Sequence, residues 1–141
     1  MANSEDMRMV NGEKRMAKKA VQSYRDLEVW QRGRSLVKAV YELSAALPES
    51  ERFGLSSQMR RSSVSIPANI AEGWARHYSA EFIQFLRHAN GSLAEVETHL
   101  ILSQDLGLAS TDQVERLLQE TQILGRQLLA LERLLINRRQ P

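Results

Sequence analysis

Four stretches of this chain each set their apolar residues along one helical stripe, alternation of the strand kind is nearly absent, and three short polar breaks separate the stretches. Together these observations predict an all-α fold, an antiparallel up-down four-helix bundle in which each helix turns back on the one before it. The 141 residues suit one domain with one core, and 43% hydrophobic with 26% charged residues is the composition of a soluble globular protein.

The first predicted helix runs from Asp26 to Leu47, with Trp30, Gly33, Val37, Val40 and Leu47 on its stripe, Asp26 as cap and Pro48 beyond its end. The second begins near Leu55 with Ser56 or Ser57 as cap and carries Leu55, Met59, Ile66, Ile70 and Trp74 on one face. Pro67 interrupts it. A proline lacks the amide hydrogen and pushes its ring at the carbonyl of Ser63, which predicts a kink or a brief unwinding relieved by the hydroxyls of Ser62, Ser63 and Ser65. The deformation is expected to turn Asn69 and Glu72 toward a neighbouring helix or subunit.

Ser79 and Glu81 suit the first turn of a third helix, whose stripe is Phe82, Leu86, Ala89, Leu93, Val96 and Leu100 and which stops at Leu106 before Gly107. The fourth, from about Thr111 to Asn137, repeats Val114, Leu117, Leu124, Leu128, Leu131 and Leu135 near the coiled-coil period of about 3.5 residues. Leu118, Ile123, Leu129, Leu134 and Ile136 widen that stripe. A stripe so wide predicts either a central helix or a second face buried against another subunit.

Charge divides the chain into a basic tail, residues 1–22, and a bundle, residues 23–141. Arg8, Lys14, Arg15, Lys18 and Lys19 outnumber Glu5, Asp6 and Glu13, so the tail holds the whole net charge of +2 and the remainder is neutral. Such a tail reads as a solvated terminus able to touch phosphate. Without cysteine, disulfides, thiolate metal sites and cysteine nucleophiles are excluded, in keeping with a reducing cytoplasm. No apolar run reaches the roughly 18 residues of a membrane span, and no signal core opens the chain. A cytoplasmic protein with no membrane partner is the expectation.

Motifs for catalysis are missing. His88 and His99 share a helical face, but eleven residues is about 16 Å of rise, too far for one ion, so solvated or interface histidines are expected. No histidine has a glutamate three residues before it, as a di-iron bundle requires. Serines occur without a Gly-x-Ser-x-Gly turn, and the seven glycines form neither a phosphate loop nor a dinucleotide fingerprint. The sequence therefore predicts no catalytic residue, no metal site, no cofactor and no enzyme.

Polar residues set among apolar ones are the first candidate feature. Ser65, Asn69 and Glu72 on the second helix and Ser92 and Glu95 on the third either face solvent or form a network that fixes register. Gly91, mid-helix beside Ser92, predicts a close helix approach there. Arg32, Arg34, Lys38, Arg60, Arg61 and Arg87 are the second feature, read either as ordinary surface pairs or as a patch for RNA or DNA.

Three stretches carry a family resemblance: Tyr24-Arg-Asp-Leu-Glu-Val-Trp30, Gln58-Met-Arg-Arg-Ser-Ser-Val-Ser-Ile-Pro-Ala-Asn-Ile-Ala-Glu-Gly73, and Phe85-Leu-Arg-His-Ala-Asn-Gly-Ser-Leu-Ala-Glu95. Over about residues 24–136 the chain resembles the 23S rRNA intervening-sequence proteins. The resemblance implies an antiparallel four-helix bundle assembled as a homo-oligomer, a pentameric ring. It also implies likeness to the accessory variability protein of diversity-generating retroelements, which binds the element's reverse transcriptase. No catalytic residue comes with it, and Asn90 stands where relatives often place a basic residue. Two roles follow, an oligomeric binder of nucleic acid and a protein-binding accessory subunit of a reverse transcriptase.

Overall fold

A computed structural model describes residues 21–139. Before the first helix, Ser23 caps a short 3-10 turn, Tyr24–Asp26, and the Asp26 carboxylate accepts from the amides of Gln22 and Ser23 at 3.0 and 3.2 Å. Asp26 thus caps this turn and not the helix predicted to start on it. Extended Leu27, fully buried, leads into α1, Glu28–Ala45. Val21 is buried as well; residues 1–20 of the predicted tail lie outside the described residues.

The buried line of α1 is Val29, Gly33, Leu36, Val40 and Leu43. The predicted line of Trp30 and Val37 is displaced by one residue, about 100° around the helix, and both side chains are half-buried at its margin. A short 3-10 turn, Glu49–Glu51, then leads into α2, Leu55–Ala75. Its cap comes from that turn, since the Glu51 carboxylate accepts from the Leu55 amide at 3.1 Å. Ser56, predicted as a cap, is buried inside the first turn and its hydroxyl donates to the Ser44 carbonyl at 3.5 Å.

Pro67 lies within an unbroken α2, so the chain does not unwind there. The nearby hydroxyls do not serve the carbonyl of Ser63: Ser62 donates to Gln58 and Ser63 donates to Arg60, at 3.0 and 2.8 Å. Short polar side chains in a helix reach back three or four residues, which puts the carbonyl beside the proline ring out of their range. The next turn begins with His77 in the left-handed region, φ 67°, a conformation unusual for a residue with a side chain.

All six predicted core residues of α3, Ser79–Asp105, are buried. Gly107, φ 70°, ends it with paired bonds from its own amide to the Gln104 carbonyl and from the Leu108 amide to the Ser103 carbonyl, the arrangement that favours glycine after a helix. The Ser110 hydroxyl accepts from the Gln113 amide at 3.2 Å and starts α4, Thr111–Arg139. The six predicted residues of its stripe are buried, and Thr121, fully buried, completes the three-four spacing between Leu117 and Leu124. Leu118 and Ile136 pack on the core, whereas Leu129 stays 41% exposed. Much of the surplus apolar width of α4 is thus spent within the chain.

Consecutive helices pack on one another and α4 closes the bundle against α1. Contacts run in opposite order along each pair. Ser62 meets Glu95 and Ser65 meets Ser92 between α2 and α3, while Glu97 meets Thr121 and Arg87 meets Glu132 between α3 and α4, so these neighbours are antiparallel. The described residues form four α-helices and no strand.

The tightest helix approach is at Gly73. A Cβ there would lie 2.7 Å from Phe85 Cβ and 2.8 Å from Phe82 Cδ1, inside any real contact distance. Gly91, where the approach was expected, has open space around it. Gly73→Ala is therefore expected to lower stability by about 1–3 kcal/mol through overpacking. Gly91→Ala is expected to raise it by up to about 1 kcal/mol through helix propensity alone. Urea unfolding of both variants measures the pair, and an unchanged midpoint for Gly73→Ala would refute the packing account.

Candidate nucleic-acid interface

The six basic residues singled out in the sequence do not come together on one surface. Arg32 points from α1 toward α4, where its Nε donates to Gln127 at 3.2 Å and its Nη1 pairs with Glu120 at 3.4 Å. Arg87 pairs with Glu132 across α3 and α4. Both follow the surface-pair reading.

The other four lie on and around the α1–α2 face. Arg34 sits 5.5 Å from the centre of the Trp30 ring, four residues earlier on α1, and Arg60 of α2 sits 4.8 Å from the Tyr41 ring of α1. Each guanidinium lies against an electron-rich ring. Ser44 fixes the second of these contacts: its hydroxyl accepts from Arg60 Nε at 2.6 Å and donates to the Tyr41 carbonyl at 3.0 Å. Lys38 and Arg61 are exposed, and neither has an ion-pair partner among the described residues. Tyr24 stands edge-on to Trp30 with ring centres 5.3 Å apart, and Arg25 lies 5.9 Å from the Tyr24 ring, which extends the run of cations and rings past the start of α1.

Carboxylates gather along the grooves between α1 and α4. Glu28 and Glu120 line one shallow groove between α1 and α4, with Gln31, Arg32 and Ser35, and Glu42 and Glu120 line another. Each groove also holds one arginine, Arg32 in the first and Arg116 in the second, so carboxylates outnumber cations two to one in each. Tyr41 and Ser44 were missed in the sequence because their partner lies on another helix; the four-residue spacing of Trp30 and Arg34 was a legible signal.

The sequence profile of the 23S rRNA-intervening sequence proteins matches residues 25–130, which takes in this face except for Tyr24. The chain belongs to that family. Among solved structures it is similar to a protein of unknown function from the S23 ribosomal protein family of Bacteroides thetaiotaomicron VPI-5482, at 24% identity with a TM-score of 0.70, over 74% of this chain and 95% of that one. That likeness concerns the fold. No curated protein matches the chain.

The long family-like run on α2 contributes a polar seam to α3. Ser65 and Ser92 hydroxyls are 2.8 Å apart, and the Asn69 amide donates to the Ser65 hydroxyl and carbonyl at 2.9 and 2.8 Å. One turn away the Ser62 hydroxyl, within reach of the Gln58 carbonyl, also lies 3.3 Å from the Glu95 carboxylate, so its one proton is shared between them. Glu72 departs from the predicted network: it is exposed and accepts from Arg76 at 2.9 Å, a bond that pushes the Arg76 pKa up. A carboxylate four residues before an arginine finds that partner on its own helix. The sequence also missed Thr121, which donates to Glu97 at 2.7 Å as a second polar link within the packed layers.

The described residues contain no group of three or more His, Asp or Glu side chains able to hold a metal ion. Ser35 and Lys38, spaced as Ser-x-x-Lys, are both exposed and no hydrogen bond joins them. His77 and His88 are exposed, but His99, expected to be solvated or at an interface, is buried at 8% exposure because its side chain falls on the edge of α3 that packs on α2. Its Nδ1 has no hydrogen-bond partner. Burial pushes its pKa below the ordinary 6.5, against a smaller upward pull from Glu95. The unfolded chain thus takes up this proton at a higher pH than the folded one. Stability from His99 is complete above the ordinary histidine value and is lost as pH falls from about 6.5 through the lower folded pKa. His99→Leu is expected to flatten that part of the acid sensitivity. Thermal unfolding of both proteins between pH 7.5 and pH 5 measures it, and equal slopes would refute it.

Proposed function

We propose that this protein acts by binding and not by catalysis, as a cytoplasmic homo-oligomer that holds nucleic acid, RNA or DNA, or a nucleoprotein, on its α1–α2 face. One observation carries the reading: Arg34, Lys38, Arg60 and Arg61 have no carboxylate partner among the described residues, while the remaining two basic candidates are neutralised by Glu120 and Glu132. Cations free of carboxylates on one face are available to phosphates, and each phosphate neutralised releases counterions. The family's name, 23S rRNA-intervening sequence protein, refers to ribosomal RNA and supports this chemistry.

A single neutral bundle offers few phosphate contacts, so repetition of the face around a pentameric ring supplies the rest of the affinity. Apolar surface left open at one end of the bundle supports assembly. Leu102 and Leu106, one turn apart near the end of α3, are 42% and 64% exposed, and Phe53, before the antiparallel α2, is 86% exposed. No helix among the described residues is long and apolar enough to cross a membrane; a further copy of the chain is the occupant proposed for this apolar end. The backbone contacts expected from helices without a base-reading motif give weak sequence discrimination.

Binding to a mixed-sequence oligonucleotide is expected to weaken steeply between about 50 and 200 mM salt. Lys38→Glu with Arg61→Glu should remove most of the affinity without changing the sedimenting species, whereas Arg87→Gln should change it little. Fluorescence anisotropy with sedimentation velocity measures both. If the unaltered protein binds no RNA, DNA or hybrid at low salt, the proposal fails and the accessory role beside a reverse transcriptase takes its place.

A further inference from the structure

We infer that the α1–α2 face takes an unpaired nucleic-acid strand in preference to a duplex, with Tyr41 as the platform on which a base stacks. This rests on the nucleic-acid reading and adds the form of the ligand. A duplex would need only cations. This face carries aromatic rings among them, and those rings are not buried in the core: Tyr41 is 42% exposed, and Trp30 is only half-buried. Arg60 lies against the Tyr41 ring at 4.8 Å and, anchored through Ser44, holds it in place at low entropic cost. The phenol hydroxyl has no partner among the described residues and is free to donate to a phosphate.

Exposed rings beside cations are what single strands use, because an unpaired base can offer its π face whereas a paired base keeps that face inside the stack. Trp30 and Tyr41 are eleven residues apart on α1, about 16 Å along the axis, which leaves room for several nucleotides of a strand between the two rings. Lys38 lies between the two rings in sequence, and Val64, 44% exposed on α2 one turn from Arg60, adds exposed apolar surface to α2. Stacking is tolerant of base identity, which fits a site with no side chains arranged to read base edges.

The test compares ~12-nucleotide single strands, one RNA and one DNA, with the same sequences as duplexes, by anisotropy at fixed low salt. Tighter binding of the single strands is expected. Tyr41→Leu should weaken it by roughly 5- to 150-fold, the span of a lost base stack, and leave the salt slope unchanged, because no charge is removed. Tyr41→Phe should keep most of the affinity, which separates stacking from a loss of fold or of the hydroxyl. A preference for only one of the two strands identifies the sugar as a second determinant and keeps the inference. Equal binding of duplex and single strand, with no effect of Tyr41→Leu, overturns it while leaving the nucleic-acid reading intact. No binding by any oligonucleotide overturns both.

Discussion

With a hydrogen in place of a side chain at Gly73, the backbone of α2 reaches the first turns of α3 closely enough that Phe82 and Phe85 occupy the space of the missing Cβ. That approach sets the depth at which the two helices meet and therefore which residues further along can touch. Ser65 with Ser92 and Ser62 with Glu95 fall at the same register, as antiparallel packing from that point requires. Polar links of this kind contribute little net stability, but an altered register would leave them unpaired in a partly buried seam. The short turn through His77, held in a left-handed conformation, joins the two helices at this end.

The same geometry governs the opposite side of α2. Gly33 of α1 lies against Ile66 and Pro67, so the proline ring faces α1 and fills space left by a glycine. With α1 close to α2 there, Arg60 reaches Tyr41 and Ser44 across the interface. Half-buried Trp30 and Val37 border the same face, where rings meet cations without carboxylates. On the α1–α4 side Glu28, Glu42 and Glu120 stand with two arginines, Arg116 and the Glu120-bound Arg32. Which cations of a body close to neutral keep a carboxylate partner is thus a property no net charge reports.

Buried polar groups mark the remaining joints. Thr121 takes a heptad position that leucine fills elsewhere, and its one hydroxyl proton has an acceptor in Glu97 or the Leu118 carbonyl. His99 is buried without a partner for Nδ1, which makes it the one such group among the described residues. The first is a satisfied specificity device, and the second ties stability to pH.

Helical periodicity is a local property, which is why the all-α class and the cores of α3 and α4 were legible in the sequence down to single residues. The family-like run on α2 was legible too. Properties that depend on what a neighbouring helix offers were not. On α1 and just past its end, Gly33, Val40 and Leu47 are buried as predicted, whereas Val29 and Leu36 take the places expected of Trp30 and Val37. The helix caps fell to Glu51 and Ser110 and left Asp26 on a preceding turn. Glu72 chose an arginine on its own helix, and the glycine that mattered for packing was Gly73 and not Gly91. Of six basic residues with similar sequence surroundings, tertiary structure alone decided that two meet carboxylates and two meet aromatic rings. The physical reason is that spacing along one helix sets which way a side chain points, whereas its partner is set by the distance of closest approach between helices far apart in sequence.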